Sequence, residues 1–351
     1  MARKRAPLLA AIEWVPSDHL LEVRDLSVEF NTDYGAVHAV NGIDYALDAG
    51  ETLAIMGESG SGKTVSALAI MGLIERPGRI ATGEILYKGV DLLHLPNAER
   101  RAVRGAEIAM IFQDALSALN PVFSVGDQIA EMFQVHEGMS KKDSMGKALE
   151  LMERVRIPSA KERLRDYPHQ FSGGMRQRVM IAIGIALDPD VLIADEPSTA
   201  LDVTVQAQIM DLLDTLQNET NMGLILITHD LGVVAEVADR VCIMYAGKIV
   251  EKGSASDVYA NPAHPYTERL MNSIPRVDQK GGRLDPIRGA PPSLMNIPPG
   301  CSFHPRCPRA RIPDPCRTEV PPLREVVANR LSACHFAEEV LEEGAQEVAS
   351  I

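Results

Sequence analysis

The chain has 351 residues, 46% of them hydrophobic, enough for a full α/β domain with a smaller appendage. Its 35 Lys and Arg against 48 Asp and Glu give a formal net charge of −13, which excludes a global electrostatic pull toward nucleic acid or an anionic membrane. Aromatic residues make up 4%, too few for a stacking platform that would bind single-stranded nucleic acid.

In chain order, residues 1–19 read as a disordered start. Pro7-Leu-Leu-Ala-Ala-Ile12 imitates a secretion signal, but the apolar stretch is short and Glu13 interrupts it. Leu20 to Phe30 and Val37 to Leu47 alternate apolar and polar residues, which predicts an antiparallel β element leading into the core. From about residue 20 to residue 260, short Leu/Ile-rich or β-branched runs alternate with longer amphipathic stretches. That pattern predicts one α/β domain on a largely parallel sheet. Within it, residues 114–170 carry helical periodicity, as in Lys147-Ala-Leu-Glu-Leu-Met-Glu-Arg-Val155, and predict a helical insertion. Apolar runs such as Gly223-Leu-Ile-Leu-Ile-Thr228 are far short of the roughly 20 residues that a membrane-spanning helix needs. Past residue 260 prolines accumulate and periodicity fades, so residues 261–337 are expected to be a separate, loop-rich module. The acidic end, residues 338–351, is expected to fray.

Leu53-Ala-Ile-Met56 runs directly into Gly57-Glu58-Ser59-Gly60-Ser61-Gly62-Lys63-Thr64, and an Ala/Leu-rich helical stretch follows. Strand, glycine-rich loop and helix in that order are the context of a phosphate-binding loop. Gly57, Gly60 and Gly62 let the backbone turn N–H groups toward phosphate oxygens, and the helix N-terminus adds partial positive charge. Lys63 would hold the β- and γ-phosphates, and the Thr64 hydroxyl would ligate Mg²⁺. A second apolar strand, Val191-Leu-Ile-Ala194, ends at Asp195-Glu196-Pro197. Asp195 suits a water-mediated hold on Mg²⁺. Glu196 suits a base that polarises an attacking water.

Phe171-Ser172-Gly173-Gly174-Met175-Arg176-Gln177 resembles the signature that separates ATP-binding-cassette (ABC) ATPases from other phosphate-loop proteins, with Phe171 and Met175 departing from the usual Leu-Ser-Gly-Gly-Gln. Further landmarks follow the family's order. Gln113 looks like the Q-loop residue, which contributes to Mg²⁺ and catalysis; Ser198-Thr199-Ala200-Leu201-Asp202 looks like the D-loop; His229 looks like the switch histidine that contacts the γ-phosphate. Tyr34, before Gly35, is a candidate to stack on adenine, with an exposed turn tyrosine as the plain alternative. The resemblance implies head-to-tail pairing, in which Ser172, Gly173, Gly174, Met175 and Gln177 of one subunit face the ATP of another.

Gln113-Asp-Ala-Leu-Ser-Ala-Leu-Asn-Pro121, Leu201-Asp-Val-Thr-Val-Gln-Ala-Gln208 and Pro262-Ala-His-Pro-Tyr-Thr267 narrow the resemblance, which covers about residues 20–336, to the ATPases of dipeptide, oligopeptide and nickel importers. It implies a peripheral subunit on the cytoplasmic face of the cell membrane, working with a second ATPase subunit, two membrane-spanning permeases and, through the complex, an extracytoplasmic substrate-binding protein, with no nucleic acid. A heterodimer of ATPases is expected and a homodimer is the alternative. It also implies that a permease coupling helix docks on about residues 114–128. Nickel, glutathione or another small solute such as a sugar oligomer is the alternative cargo. The rival class, a soluble ABC ATPase acting on DNA or ribosomes, usually carries a long coiled-coil insertion or two tandem ATPase domains, and this sequence has neither.

Four of the five cysteines fall in the tail, as Cys301, Cys307, Cys316 and Cys334. In a chain read as cytosolic, this favours metal or cluster ligation over disulfides, and the spacings do not choose between zinc and iron–sulfur. The family resemblance implies a 4Fe–4S cluster, with zinc as the alternative and metal-free thiols as the plain one. His304 and His335 are expected to be solvated loop residues, and Cys242, in an apolar strand, a core residue.

Overall fold

The computed structural model describes residues 16–199, 201–273 and 287–349. Among them no helix is long and apolar enough to cross a membrane. The chain divides into two compact units, one made of Met1–Glu22, Ala46–Glu51 and Ile85–Leu226, the other of Val23–Tyr45, Thr52–Glu84 and Ile227–Ile351.

In the first unit the strands Ile108–Ile111, Val191–Asp195 and Gly223–Ile227 lie side by side in that order. The first two run parallel, Ile108 opposite Val191 through to Ile111 opposite Ala194. Ile108–Ile111 and Val191–Asp195 are buried throughout, as strands covered on both faces require. The helical insertion is built of Val125–Glu137, Lys141–Arg154 and the short Ala160–Arg163. The two longer helices begin alike: Ser124 and Ser140 each accept from the N–H of the residue three on, Asp127 and Asp143, satisfying an otherwise unpaired helical donor. Gly173–Ile185 packs against them through Arg178, whose buried guanidinium donates to Val155 O (2.9 Å) and Gln208 Oε1 (3.2 Å).

The second unit holds Gly35–Leu47, Leu21–Thr32 and Gly78–Tyr87, neighbours in that order and lying largely within it, the first two where the alternating sequence predicts strands. It also holds Thr52–Met56, which pairs in parallel with Arg240–Tyr245; Lys248–Ser254 follows antiparallel. The tail is largely loop, and two short strands lie within it. Arg324–Val327 and Arg330–Ser332 pair antiparallel and extend this sheet, with Glu251 opposite Ser332. Beneath that join lies a buried ion pair: Arg330 donates to Glu251 Oε1 (2.7 and 3.1 Å), while the N–H groups of Ala263 and His264 also donate to the Glu251 carboxylate. Burial raises the Glu251 pKa and Arg330 opposes the rise.

The acidic end departs from expectation. Residues Ala337–Ala349 form a helix, not a frayed end. Its buried Ala337 and Val340 give it an apolar face, and three arginines of the tail neutralise its first turns: Arg324 on Glu338, Arg311 on Glu339 and Arg309 on Glu343. Acidic composition alone concealed these partners.

Candidate nucleotide and cysteine sites

In the second unit the buried strand Thr52–Met56 leads into the loop and then the helix Lys63–Ile70. Gly57 has φ +146° and Gly62 φ +104°, and a Cβ on either would stand 2.1 Å from Met244 O or 2.2 Å from Ala39 O, so only glycine can make these bends. Lys63, 6% exposed, donates from Nζ to Gly57 O (2.8 Å) and Glu58 O (3.1 Å), which points its charge along the loop. Ser61 Oγ is buried and has no hydrogen-bond partner, although a buried hydroxyl ordinarily finds one. An unpaired donor beside a fixed cation inside a loop of this shape fits an anion such as a nucleotide phosphate. Thr64 is exposed at the start of the helix.

Glu58 departs from the expected role of a direct nucleotide contact. Its N–H donates to Tyr266 Oη (2.8 Å) and its carboxylate pairs with Arg306, so both groups are engaged by other residues of the unit. Ser59 and Gly60 remain exposed on the loop. Tyr34 is 89% exposed in the turn between Leu21–Thr32 and Gly35–Leu47, free of packing that would hold its ring. His229 is exposed just after the strand Gly223–Ile227, and Thr228 N–H donates to Ile55 O (3.4 Å), which brings this histidine's segment beside the strand that feeds the loop.

In the first unit, Val191–Asp195 delivers a buried Asp195 and, next to it, Glu196 with φ +45°. Positive φ is uncommon for a residue with a side chain, and strain of this kind concentrates at functional positions. One oxygen of Glu196 accepts from Gln113 Nε2 (2.9 Å) and Thr199 Oγ1 (2.8 Å). The structure thus joins two residues 83 positions apart that belong to separate motifs of the sequence. Thr199 enters the sequence motif only as a member of the D-loop, and its bond to Glu196 is not visible from that place.

Ser172 caps the helix Gly173–Ile185, its Oγ accepting from Met175 N–H (3.3 Å). Ser172 and Gly173 are exposed, Gly174 and Met175 half-buried. Gln177 is 5% exposed and faces the interior, so the part of the motif that can meet another molecule ends before it. Helical geometry explains this: Gln177 lies more than one turn past the N-terminal end of the helix. Ser198 is buried, Leu201 N–H donates to Ser198 O (3.2 Å), and Asp202 caps Val203–Thr220 by accepting from Val205 N–H (3.0 Å). Ala200 lies outside the described residues.

Residues 114–128 expose three large apolar side chains, Leu116, Val122 and Phe123, on a surface fixed by local bonds: Asp114 accepts from Leu116 N–H, and Gln128 Oε1 accepts from Asn120 N–H. The Leu116 N–H, and after it Ser117, hold the Asp114 carboxyl below its usual range.

The cysteines Cys301, Cys307, Cys316 and Cys334 all carry free thiols and line one small apolar cavity with His304 and His335. Burial pushes the Cys307 thiol up to about 12 and the Cys334 thiol up to about 11, and raises Cys301 too. Among the described residues no three His, Cys, Asp or Glu side chains stand together as a formed metal-binding group. The two histidines are not merely solvated: His304 Nδ1 lies 2.9 Å from Cys301 O and His335 Nε2 3.0 Å from Glu319 O. Cys242 is buried in Arg240–Tyr245, as a core residue would be.

Residues 40–199 match the family profile described as ABC transporter, and residues 250–316 that of the oligopeptide/dipeptide transporter C-terminal region. The chain is 50% identical over 319 residues to the oligopeptide transport ATP-binding protein OppD of Salmonella typhimurium, covering 91% of this chain and 94% of that one. It is 51% identical over 296 residues to the dipeptide transport ATP-binding protein DppD of Bacillus subtilis, covering 84% and 88%. A bacterial ABC transporter cassette solved as a dimer superposes with a TM-score of 0.60 at 25% identity, over 67% of this chain and 98% of that one.

Proposed function

The chain belongs to the family of ATP-hydrolysing subunits of ABC transporters, and from that premise we propose that it powers the import of di- or oligopeptides. The observation that carries this reading is the extent of the match: about half the residues are identical to peptide-transport ATPases over nine-tenths of the chain, and the tail matches the region described for oligopeptide/dipeptide transporters.

In this reading the phosphate loop binds ATP through the cation of Lys63 and the backbone of Gly57 and of Ser59 to Gly62, with Ser59 and Ser61 hydroxyls beside it and Tyr34 against the base. Thr64, Asp195 and Gln113 are the residues that would hold Mg²⁺, which would supply neutralisation of phosphate charge. Glu196 takes the proton of the attacking water, and its bonds from Gln113 and Thr199 fix the direction in which it does so. His229 contacts the γ-phosphate. Ser172, Gly173, Gly174 and Met175 meet the nucleotide of a second ATPase subunit, and Ser198, Leu201 and Asp202 lie at the same junction. The exposed Leu116, Val122 and Phe123 supply an apolar surface for one of two permease subunits. The protein would sit at the cytoplasmic face of the membrane, bound there through its partners.

We also propose that Cys301, Cys307, Cys316 and Cys334 hold a 4Fe–4S cluster, with zinc as the alternative. Convergence of four unbridged thiols on one cavity supports this, and the raised thiol pKa values mean that ligation must displace protons from at least three of them. One experiment tests both proposals: gentle purification of the tagged chain from its host in mild detergent without oxygen. Two multi-span membrane proteins and a second ATPase should co-purify, and the brown protein should contain iron and acid-labile sulfide. Ribosomal proteins or DNA instead would overturn the transport reading; a colourless chain without iron would overturn the cluster.

A further inference from the structure

Among the described residues, the tail reaches the phosphate loop through Tyr266 and Arg306. Arg306 follows Phe303 in the turn His304–Arg306, between Cys301 and Cys307. Its guanidinium, with a side chain 7% exposed, uses all five of its N–H donors. Nη1 donates to Glu58 Oε2 (2.6 Å) and Tyr245 Oη (3.3 Å), Nη2 to Glu58 Oε1 (2.9 Å) and Gly289 O (3.1 Å), and Nε to Arg288 O (3.0 Å). The Glu58 pairing is the two-pronged geometry that distinguishes arginine from lysine. Glu58 is the second residue of the phosphate loop, its N–H donates to Tyr266 Oη, and its carbonyl accepts from Lys63. Tyr245, Tyr266 and Phe303 pack ring against ring, with centroids 4.6–5.4 Å apart, and anchor the turn that carries Arg306.

We propose that Arg306 is a positioning residue for nucleotide binding: it holds Glu58, and through it the phosphate loop, and it cancels a carboxylate that would otherwise repel the phosphates. Two physical effects act together. The fork fixes the Glu58 side chain while Tyr266 fixes its backbone, so the loop keeps its shape without nucleotide. The positive charge neutralises Glu58 in a half-buried setting, where a bare anion beside a polyphosphate is felt strongly. The tail is thereby part of the ATP site and not an appendage to it. The two strands that it adds to the sheet, and its helix Ala337–Ala349, give the anchoring turn a rigid base.

This inference rests on the reading of the loop as an ATP site, and its test separates the two. The dissociation constant for Mg·ATP is measured on the full chain by equilibrium binding, alongside thermal melting without nucleotide. Arg306→Ala should weaken binding about tenfold. Adding Glu58→Ala to Arg306→Ala should recover most of that loss, because the repelling carboxylate is gone; a purely structural defect would not be repaired by a second truncation. Arg306→Lys, which keeps the charge without the fork, serves if Arg306→Ala fails to fold, and should weaken binding about threefold. Unchanged affinity in either single variant, or no recovery in the double variant, overturns the proposal. If Lys63→Ala also binds Mg·ATP normally, the site reading itself fails; if Lys63→Ala loses binding while the Arg306 variants do not, only the positioning role falls.

Discussion

Glu196→Gln is expected to bind ATP as the natural protein does and to hydrolyse it about 10²–10⁴-fold more slowly. Glutamine keeps the size of the side chain and a carbonyl oxygen to accept from Gln113 and Thr199, whose bonds of 2.9 and 2.8 Å fix the carboxylate. It cannot take up a proton from water. The loss corresponds to about 3–5 kcal/mol of transition-state stabilisation, removed without touching the groups assigned to hold phosphate. The check is a pair of measurements on one preparation: single-turnover hydrolysis with the partner subunits present, and equilibrium binding of Mg·ATP. Hydrolysis at the natural rate would remove Glu196 from the reaction, and Gln113 and Thr199 would lose the role of orienting it.

Lys63→Ala should produce the opposite division, a loss of binding itself. The Lys63 ammonium donates to two loop carbonyls and is the buried positive charge of the loop. Charge-assisted hydrogen bonds are worth about 1.5–3 kcal/mol each, so removing those it makes to phosphate should weaken ATP binding about 10²-fold. Melting without nucleotide separates this from unfolding, since the alanine also leaves Gly57 and Glu58 carbonyls without their donor. A variant that folds and binds ATP with natural affinity would contradict the assignment of residues 57–64.

The parts of this account that were legible in sequence are those that physics makes local. Gly57 and Gly62 occupy fixed places in an eight-residue loop because their backbone angles and the carbonyls of Met244 and Ala39 forbid a side chain. The strand ending at Asp195 shows itself as an uninterrupted apolar run because both faces are covered. The resemblance carried the rest of the family assignment, and the match to OppD and DppD agrees with it. What stayed hidden depends on distance along the chain. Glu58 and Arg306 are 248 positions apart, and neither residue type announces a partner. The two tail strands of four and three residues are too short for alternation to register, and their pairing is fixed by the Glu251–Arg330 contact beneath them. The place of Gln177 in a motif points it at a partner, whereas the helix turns it inward. The helix of the acidic end depends on arginines from the tail, which composition cannot pair with glutamates in advance.

The central claim is that ATP hydrolysis by this chain drives a peptide across a membrane. Its most direct test is accumulation of a radiolabelled dipeptide or oligopeptide in sealed membrane vesicles that contain the co-purified permeases and binding protein, with ATP supplied on the side that bears this subunit. The account predicts accumulation above the external concentration with the natural chain and none with Glu196→Gln assembled in the same complex. Peptide accumulation that is the same with Glu196→Gln as with the natural chain, or hydrolysis by the natural complex with no peptide moved, would contradict it.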